Sequence, residues 1–374
     1  MFIDLDGILC YYINRIHITE DGMRTNADSS AFAYTGRIDF EDPAQPLLIY
    51  AGSMAETKFT GKSIGIYVKN QSMFVYTAIG VLVDNQQYKF ELTDSEEEQF
   101  FQIPAELDEG EHTLIVFKRQ AAAHYFRFCG IETDDGAKVT APEKKYALKI
   151  EVFGDSVSAG EVTEAFYYEG CVDPVEHKSS GVCDNSWFSY PMILGRRLNA
   201  QVHDNAQGGI ALLNRTGFFC GPDRENMLGV ESTYDKLSYV PYSRQGLTKW
   251  DFSRFTPDLI IFAIGQNDPN PCEEETKSEA YIAKWKNKYK EILEDLKRHY
   301  GKQVRVLMIL TVLMHDPRWD KYLDEIEAEL SDDTVRHYRF RRCGQATPGH
   351  PRLTEQVEMA TELEWFIRDW FGIE

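Results

Sequence analysis

A chain of 374 residues is longer than most single hydrophobic cores, so two domains are expected. Its 60 acidic and 40 basic residues give a formal net charge of -20, which repels phosphate backbones and anionic bilayers and argues against nucleic-acid and membrane partners. Hydrophobic residues make up 43 % of the sequence, enough for globular cores, yet no apolar run reaches the roughly 20 residues that span a bilayer.

The N-terminal stretch carries acidic residues where a secretion signal needs positive charge, and no small-residue cleavage site follows an apolar run. The seven cysteines are an odd number and are scattered along the chain. That usage fits a reducing compartment better than a disulfide framework. We therefore expect a cytoplasmic protein.

The first part of the chain consists of short runs that alternate apolar and polar residues. Examples are "SIGIYVKN" and "HTLIVFKRQ", and turn signals such as "DNQQ" and "DEGEH" separate them. Several short strands punctuated in this way are typical of an all-β sandwich. We predict a β-sandwich domain of the jelly-roll type over residues 1–145, which ends in a charged connector.

Over residues 146–374 the pattern changes to strands that alternate with helices. Buried-looking strands occur at "LKIEVFG", "DLIIFAIG" and "VRVLMILTVL", and a long helix is predicted in between. This alternation predicts a doubly wound α/β domain with a parallel sheet. Ligands of such sheets bind outside the carboxyl ends of the strands, so residues that directly follow the strands are candidate site residues.

Four short motifs lie at or near these positions. Ser156 follows the first strand in "GDS", where a serine is either a nucleophile or a helix N-cap. Gly208 and Gly209 follow the second strand and allow either a tight turn or a backbone N–H aimed at a ligand. Asn267 follows the third strand with an amide suited to an oxyanion, although it is also an ordinary turn residue. His350 lies on a loop before the last helix and is a candidate base.

In type, order and rough spacing these motifs resemble the SGNH, or GDSL-like, hydrolases. The resemblance implies that Ser156 is the nucleophile and His350 the general base. It also implies an oxyanion hole formed by the backbone N–H groups of Ser156 and Gly209 and by the side chain of Asn267.

A narrower resemblance, to carbohydrate esterase family 2, covers almost the whole chain. It is carried by "FTGKSIGIYV" in the first domain and by "NSWFSYPMILGRRLNAQVHDNAQGGIAL" in the second. Members place a jelly-roll sandwich before the SGNH domain and deacetylate xylan and glucomannan. The resemblance implies an O-acetyl esterase acting on xylan- or mannan-derived saccharides through an acetyl-enzyme, without a cofactor. The alternatives are another SGNH-type ester or thioester hydrolase, or a non-catalytic carbohydrate-binding protein.

The sequence departs from the broad SGNH pattern three residues before His350. Thr347 stands where these enzymes commonly carry an aspartate, and threonine cannot stabilise an imidazolium by charge. Members of family 2 work with a Ser-His dyad whose ring is oriented by a backbone carbonyl. We therefore expect a carbonyl near Thr347 or Pro348 to hold the ring, with Asp316 or Asp320 as the alternative.

A long insertion after the first strand contains Cys171, His177 and Cys183, and Cys220 follows later. Their spacing matches no standard zinc site, so we predict no metal. We expect this insertion to form a wall of the cleft or a subunit contact. Together with the edge strands of the sandwich, it favours homo-oligomerisation.

Three tryptophans, Trp187, Trp250 and Trp319, lie in or near segments that flank strands of the second domain. Their indole faces are candidates for stacking on sugar rings. Packing inside the protein is the alternative for each.

Overall fold

The computed structural model describes residues 22–73, 76–175, 181–218, 224–240, 243–270 and 272–373. In these ranges no helix combines the length and the apolar character that a bilayer crossing requires. Two domains follow one another along the chain. Sandwich strands end at Thr140, and the parallel sheet of the second domain begins at Leu148.

The first domain is an antiparallel sandwich of two sheets. One sheet has the order β3-β4-β11-β6-β9 with β1 beside β11, and the other has the order β12-β5-β10-β7-β8 with β2 beside β5. The strands are β1 (Gly22–Asn26), β2 (Ala33–Thr35), β3 (Ile38–Asp39), β4 (Leu47–Leu48), β5 (Met54–Thr60), β6 (Ile64–Asn70), β7 (Thr77–Val83), β8 (Gln86–Leu92), β9 (Gln99–Gln102), β10 (Glu111–Lys118), β11 (Phe126–Asp134) and β12 (Val139–Thr140).

The alternation seen in the sequence separates the two faces of each sheet. Leu114 and Val116 of β10 point into the sandwich core together with Ile66 and Val68 of the other sheet. Phe117 of β10 points the other way and packs into the core of the second domain. The sandwich therefore has a buried outer face as well as a buried inner face.

The second domain contains a five-stranded parallel sheet in the order β14-β13-β17-β18-β19. Its strands are β13 (Leu148–Gly154), β14 (Ala200–Ala206), β17 (Leu259–Phe262), β18 (Arg305–Leu310) and β19 (Val335–Arg339), and a hairpin of β15 (Lys236–Val240) and β16 (Ser243–Lys249) is inserted before β17. The described helices are α1 (Ser156–Ala159), α2 (Tyr190–Arg197), α3 (Val230–Thr233), α4 (Glu279–Tyr300), α5 (Arg318–Leu330) and α6 (Leu353–Phe371).

Helices cover both faces of this sheet. Ile261 of β17 packs in the core that contains α2 and α6, whereas Ile260 and Phe262 pack with α4 and α5. The predicted order of the domains, an all-β sandwich followed by a doubly wound α/β domain, is therefore confirmed. Because the chain winds from β13 to β14 and then back to β17, the carboxyl ends of β13 and β17 flank the switch point of the sheet, where ligands bind in such folds.

The two domains share buried contacts. Arg37 of the sandwich is fully buried, lies 2.9 Å from Glu151 of β13, and donates to the carbonyl of Tyr234 at 2.7 Å. Arg119 extends from the end of β10 to Glu164, which lies in the segment after α1, and to the carbonyl of Asp184. The sandwich therefore supports the part of the second domain that follows the first parallel strand.

Candidate active site

Ser156 is the first residue of α1 and follows β13 directly, with an exposure of 3 %. The helix is capped by Asp155, whose Oδ1 accepts from the N–H of Val157 at 3.0 Å. The N-cap interpretation of Ser156 is therefore wrong. Because the capping role falls to its neighbour, the hydroxyl of Ser156 is not needed to start the helix.

The glycine turn follows β14 at the same edge of the sheet. Gly209 has a φ of +68°, a conformation that favours glycine over residues with a Cβ. The N–H groups of Ser156 and Gly209 have no hydrogen-bond partner among the residues that the structure describes. These are the two backbone donors that the family resemblance assigns to the oxyanion hole.

Asn267 lies after β17 and is 7 % exposed. Its Nδ2 donates to Asp155 Oδ2 at 2.8 Å and to the carbonyl of Ile210 at 3.2 Å. Both amide hydrogens are therefore engaged, and donation to an oxyanion requires the longer bond to Ile210 to open. The amide is held between the loops that follow β13 and β14, so the structure brings Asn267 to the same edge as Ser156 and the glycine turn.

Two neighbours of Asn267 that the sequence did not single out fix these loops. Gln266 Nε2 donates to Asp155 Oδ2 at 2.5 Å, and its Oε1 accepts from Thr311. Asp268 is fully buried and accepts from the N–H of Leu212 at 3.1 Å. The segments that follow β13, β14, β17 and β18 are thus joined by side-chain hydrogen bonds. Burial raises the pKa of Asp155 to about 6.

His350 is held by a carboxylate from the long insertion. Its Nδ1 lies 2.7 Å from Asp173 Oδ2, and its backbone N–H donates to Asp173 Oδ1 at 3.0 Å. Arg352 donates to the same Oδ1 at 2.9 Å. The expectation that a backbone carbonyl orients this ring is therefore wrong, because an acid more than 170 positions earlier in the chain occupies Nδ1.

Thr347 has a supporting role in this arrangement. Its hydroxyl accepts from the N–H of Gly170 at 2.9 Å and so holds the insertion that carries Asp173. Gly349 lies beside the carboxylate, since a Cβ at this position would come within 2.4 Å of Asp173 Oδ1. Thr347, which stands in place of the usual aspartate, therefore anchors the insertion whose Asp173 binds His350.

The alternative acids lie elsewhere. Asp316 accepts from the N–H of Arg318 at 2.9 Å at the start of α5, and Asp320 bonds to His315. Asp173 was missed because the segment around it has no periodicity or motif. Cys171 and Cys183 of the insertion are free thiols, whereas His177 and Cys220 lie outside the described residues.

Glu161 connects the segment around Ser156 to His350. Its backbone N–H donates to the carbonyl of Ser156 at 3.0 Å, and its Oε2 lies 3.6 Å from His350 Nε2. Its Oε1 lies against Gly208, where a Cβ would come within 2.0 Å of it. One residue therefore contacts the glycine turn and His350 through its side chain and Ser156 through its backbone N–H.

The charges around His350 determine its protonation. Burial alone would lower the pKa of His350, but the hydrogen bond to Asp173 and the negative charge of Glu161 outweigh it, so the pKa lies above the ordinary value. Burial, and then the proximity of Asp184, raise the pKa of Glu161. The bonds to His350 and Arg352 hold the pKa of Asp173 well below its usual range despite burial. Asp173 is thus an anion facing a readily protonated imidazole.

The predicted tryptophans do not line this site. Trp319 is fully buried in α5, and Trp250 is 5 % exposed in the contact between the domains. Trp187 is partly buried and packs against Phe117 and Arg196. Packing is therefore the role of Trp250 and Trp319, whereas Trp187 also lines a pocket together with Met192 and Arg196. Exposed rings lie instead near the site, at Tyr168 in the insertion and at Phe218, whose N–H donates to the carbonyl of Gly209.

Comparison with known proteins shows what this chain is similar to. Residues 34–142 match the family model described as carbohydrate esterase 2 N-terminal. A cellulase/esterase, CelE, of Acetivibrio thermocellus is 29 % identical over 286 residues, which is 75 % of this chain. The chain spans 31 % of the length of that relative. An acetylxylan esterase/glucomannan deacetylase of Cellvibrio japonicus is 25 % identical over 90 % of this chain and 88 % of its own length.

The same two-domain fold occurs in solved structures. A family two carbohydrate esterase from Cellvibrio japonicus has a TM-score of 0.76 at 21 % identity, covering 94 % of this chain and 99 % of that one. An active-site mutant of such an esterase from Clostridium thermocellum has a TM-score of 0.75 at 23 % identity, covering 92 % and 99 %. The match over residues 34–142 and the shared two-domain fold confirm the resemblance to carbohydrate esterase family 2, and the curated relatives are named as esterases.

Proposed function

We propose that this protein is a serine esterase that removes acetyl groups from saccharides related to xylan or mannan. The observation that supports it most is the position of His350, whose Nδ1 is bound by Asp173 while its Nε2 faces the loop after Ser156. A histidine held in this way is poised to act as a base through its second nitrogen. The relatives add the substrate class, since one is named acetylxylan esterase/glucomannan deacetylase and another was solved with cellohexaose.

The proposed reaction is acyl transfer in two steps. His350 takes the proton of Ser156 as the hydroxyl oxygen attacks the acetyl carbonyl, and the tetrahedral oxyanion is stabilised by the N–H groups of Ser156 and Gly209. Asn267 contributes when its bond to Ile210 opens. His350 then returns the proton to the departing sugar hydroxyl, and water, activated by the same base, releases acetate from the acetyl-enzyme.

With Asp173, the proposed catalytic group is a Ser-His-Asp triad and not the Ser-His dyad predicted from the sequence. A carboxylate on Nδ1 keeps the proton on that nitrogen, so that Nε2 is the ring atom that takes the proton of Ser156, and it stabilises the imidazolium that forms during attack. Because Asp173 acts through His350, it is a positioning residue. Location in the cytoplasm and homo-oligomerisation stay predictions.

Acetate release tests the proposed function directly. We expect the protein to release acetate from acetylated xylose, mannose or cellobiose, with a rate that exceeds its rate on octanoyl esters, since a pocket built for acetate excludes longer chains. The measurement is enzymatic detection of acetate over this panel. Faster cleavage of octanoyl esters would assign another ester hydrolase, and glycan binding without any acetate release would assign a binding protein.

The pH dependence of the reaction should depend on Glu161. A base must be neutral, so the raised pKa of His350 places the rising limb of kcat/KM above pH 6.5, the ordinary pKa of histidine. Glu161→Gln removes a negative charge 3.6 Å from Nε2, lowers the pKa of His350 and shifts that limb to lower pH by about one unit.

The matched control for this shift is Glu169→Gln, which alters an exposed carboxylate of the insertion that accepts from Thr354. We expect its profile to coincide with that of the unmodified protein. If the midpoint of the rising limb were the same in Glu161→Gln as in the unmodified protein, the Glu161 side chain would be uncharged over the pH range of the measurement.

A further inference from the structure

The insertion that carries Asp173 has two ends that are bound to each other. We call these ends the neck, which consists of residues 160–165 after α1 and residues 183–186 before α2. The N–H of Asn185 donates to the carbonyl of Gly160 at 2.9 Å, and the N–H of Glu164 donates to the carbonyl of Cys183 at 3.0 Å. Because Asp173 lies in the chain between the two ends, the position of the neck limits where its carboxylate can be.

Arg119 is the residue through which the sandwich domain reaches the neck. It follows β10, and its side chain is fully buried. Its Nη2 donates to Glu164 Oε2 at 2.5 Å and to the carbonyl of Asp184 at 2.9 Å, so one guanidinium nitrogen contacts both ends of the neck. The backbone carbonyl of Arg119 accepts from the N–H of Ser186 at 2.8 Å. One residue of the first domain thus binds the neck through its side chain and through its backbone.

The hairpin of β7 and β8 supports the same contact. Gln87 Oε1 accepts from Arg119 Nη1 at 3.2 Å and from Asn185 Nδ2 at 2.7 Å. Asn185 Nδ2 also donates to Glu164 Oε1 at 2.7 Å. Both carboxylate oxygens of Glu164 therefore have donors, and the charge of Arg119 is balanced by an anion of the second domain. Such a fully bonded, buried network fixes one position of the groups that form it.

The neck in turn contacts the surroundings of His350. Asp184 Oδ1 accepts from the N–H of Val162 at 3.0 Å, directly after Glu161, whose Oε2 lies 3.6 Å from His350 Nε2. The carbonyl of Thr163 accepts from the first N–H group of α6 at 3.1 Å, close behind His350 in the chain. The neck is therefore joined to the histidine segment as well as to the sandwich.

We propose that Arg119 is a positioning residue of the reaction, because by fixing the neck it holds Asp173 within hydrogen-bond distance of His350 Nδ1. This inference rests on the triad of the proposed function and adds that the first domain completes it. Arg119 acts through Asp173 and not on the reacting atoms. A catalytic group that is displaced by about 1 Å can cost about a hundredfold in rate, so the sandwich takes part in catalysis without contacting His350 itself.

Arg119→Gln tests this role. The neutral amide cannot bind Glu164 and the carbonyl of Asp184 as the guanidinium does. We expect kcat for acetate release to fall by roughly a hundredfold, with KM changed by less than about threefold. In the Asp173→Asn background the same substitution should lower kcat by less than about threefold, because residues that act through one contact are not additive. A general loss of structure would lower kcat equally in both backgrounds.

The pKa of His350 gives a second readout, which does not depend on the substrate. The charged side chains that act on its ring or bind its backbone are Asp155, Glu161, Asp173, Asp184 and Arg352. Loss of the Arg119 charge would by itself raise the pKa of His350, whereas displacement of Asp173 lowers it, by about one unit. We expect the lower pKa. Nitrogen NMR of histidine-labelled protein measures it, with His350→Gln to assign the signal.

Arg37→Gln is the matched control, because Arg37 is equally buried in the domain contact but pairs with Glu151 of β13 and not with the neck. We expect it to lower the thermal stability while the pKa of His350 stays unchanged. If Arg119→Gln fails to fold, Arg119→Lys takes its place. The lysine keeps the charge but cannot reach both acceptors of the neck, so the pKa of His350 and kcat should fall in the same direction by smaller amounts.

The outcomes separate this inference from the proposed function. If Asp173→Asn lowers kcat and the pKa of His350 while Arg119→Gln lowers neither, the triad stands and the positioning role of Arg119 is overturned. Equal losses of kcat in both backgrounds, together with a raised pKa of His350, would overturn it as well. If Asp173→Asn itself changes neither quantity, the triad is wrong and the role of Arg119 is wrong with it.

Discussion

Ser156→Ala is expected to lower kcat for acetate release by at least about ten-thousandfold. The alanine cannot form an acetyl-enzyme, and only the oxyanion donors and substrate binding would remain to accelerate attack by water. The fold should persist, since Asp155 and not Ser156 caps α1. Steady-state rates measure the loss of turnover, and thermal unfolding measures whether the fold persists. Mass spectrometry of the unmodified protein, quenched with acid during turnover, should find the acetyl group on Ser156.

Ser158→Ala provides the matched control two residues further along α1. Its hydroxyl bonds to that of Tyr190 at 2.8 Å, so its loss should cost about 1 kcal/mol of stability and leave turnover within about tenfold. If Ser156→Ala retained near-normal turnover, Ser156 would not be the nucleophile. Acetate release would then have to proceed by direct attack of water.

Asp173→Asn should lower kcat by roughly a thousandfold to ten-thousandfold with little change in KM. The amide cannot stabilise the imidazolium, and it presents a donor as readily as an acceptor to His350 Nδ1, which favours the wrong tautomer. Loss of the anion should also lower the pKa of His350, so the rising limb of the pH profile moves to lower pH. A purely structural role of Asp173 would not move that limb.

Asp316→Asn is the control for this substitution, because the Asp316 side chain accepts from the N–H of Arg318 at the start of α5 and not from His350. We expect its rate to be nearly unchanged. A loss of less than about tenfold in Asp173→Asn, with a folded protein and an unmoved pH profile, would restore the Ser-His dyad of the sequence prediction. A backbone carbonyl would then have to orient the ring during turnover.

The sequence by itself determined the order of the two folds and the edge at which the site lies. Alternating runs predict strands because side chains of a strand point to opposite faces, and those runs do form the sandwich. The positions of Ser156, Gly209 and Asn267 could be predicted because the ends of parallel strands meet at one edge. For these residues, local pattern and topology were sufficient.

Only the tertiary structure decided which groups surround His350. Asp173 reaches it from an insertion with no regular pattern, and Glu161 reaches it from the segment after α1. For Trp250 and Trp319 the sequence left sugar stacking and packing open, because an aromatic residue beside a strand serves equally well in a core, and the structure buries both side chains.

The buried contacts of Asp320 show the same limit. Its partners His315 and Cys343 have no regular spacing from it, because they follow two different strands. Spacing along a chain reports contacts within one element, where the geometry is fixed by the backbone. Contacts between elements depend on how the sheet and its helices pack, and that packing places Asp173 beside His350 and His337 beside Asp320.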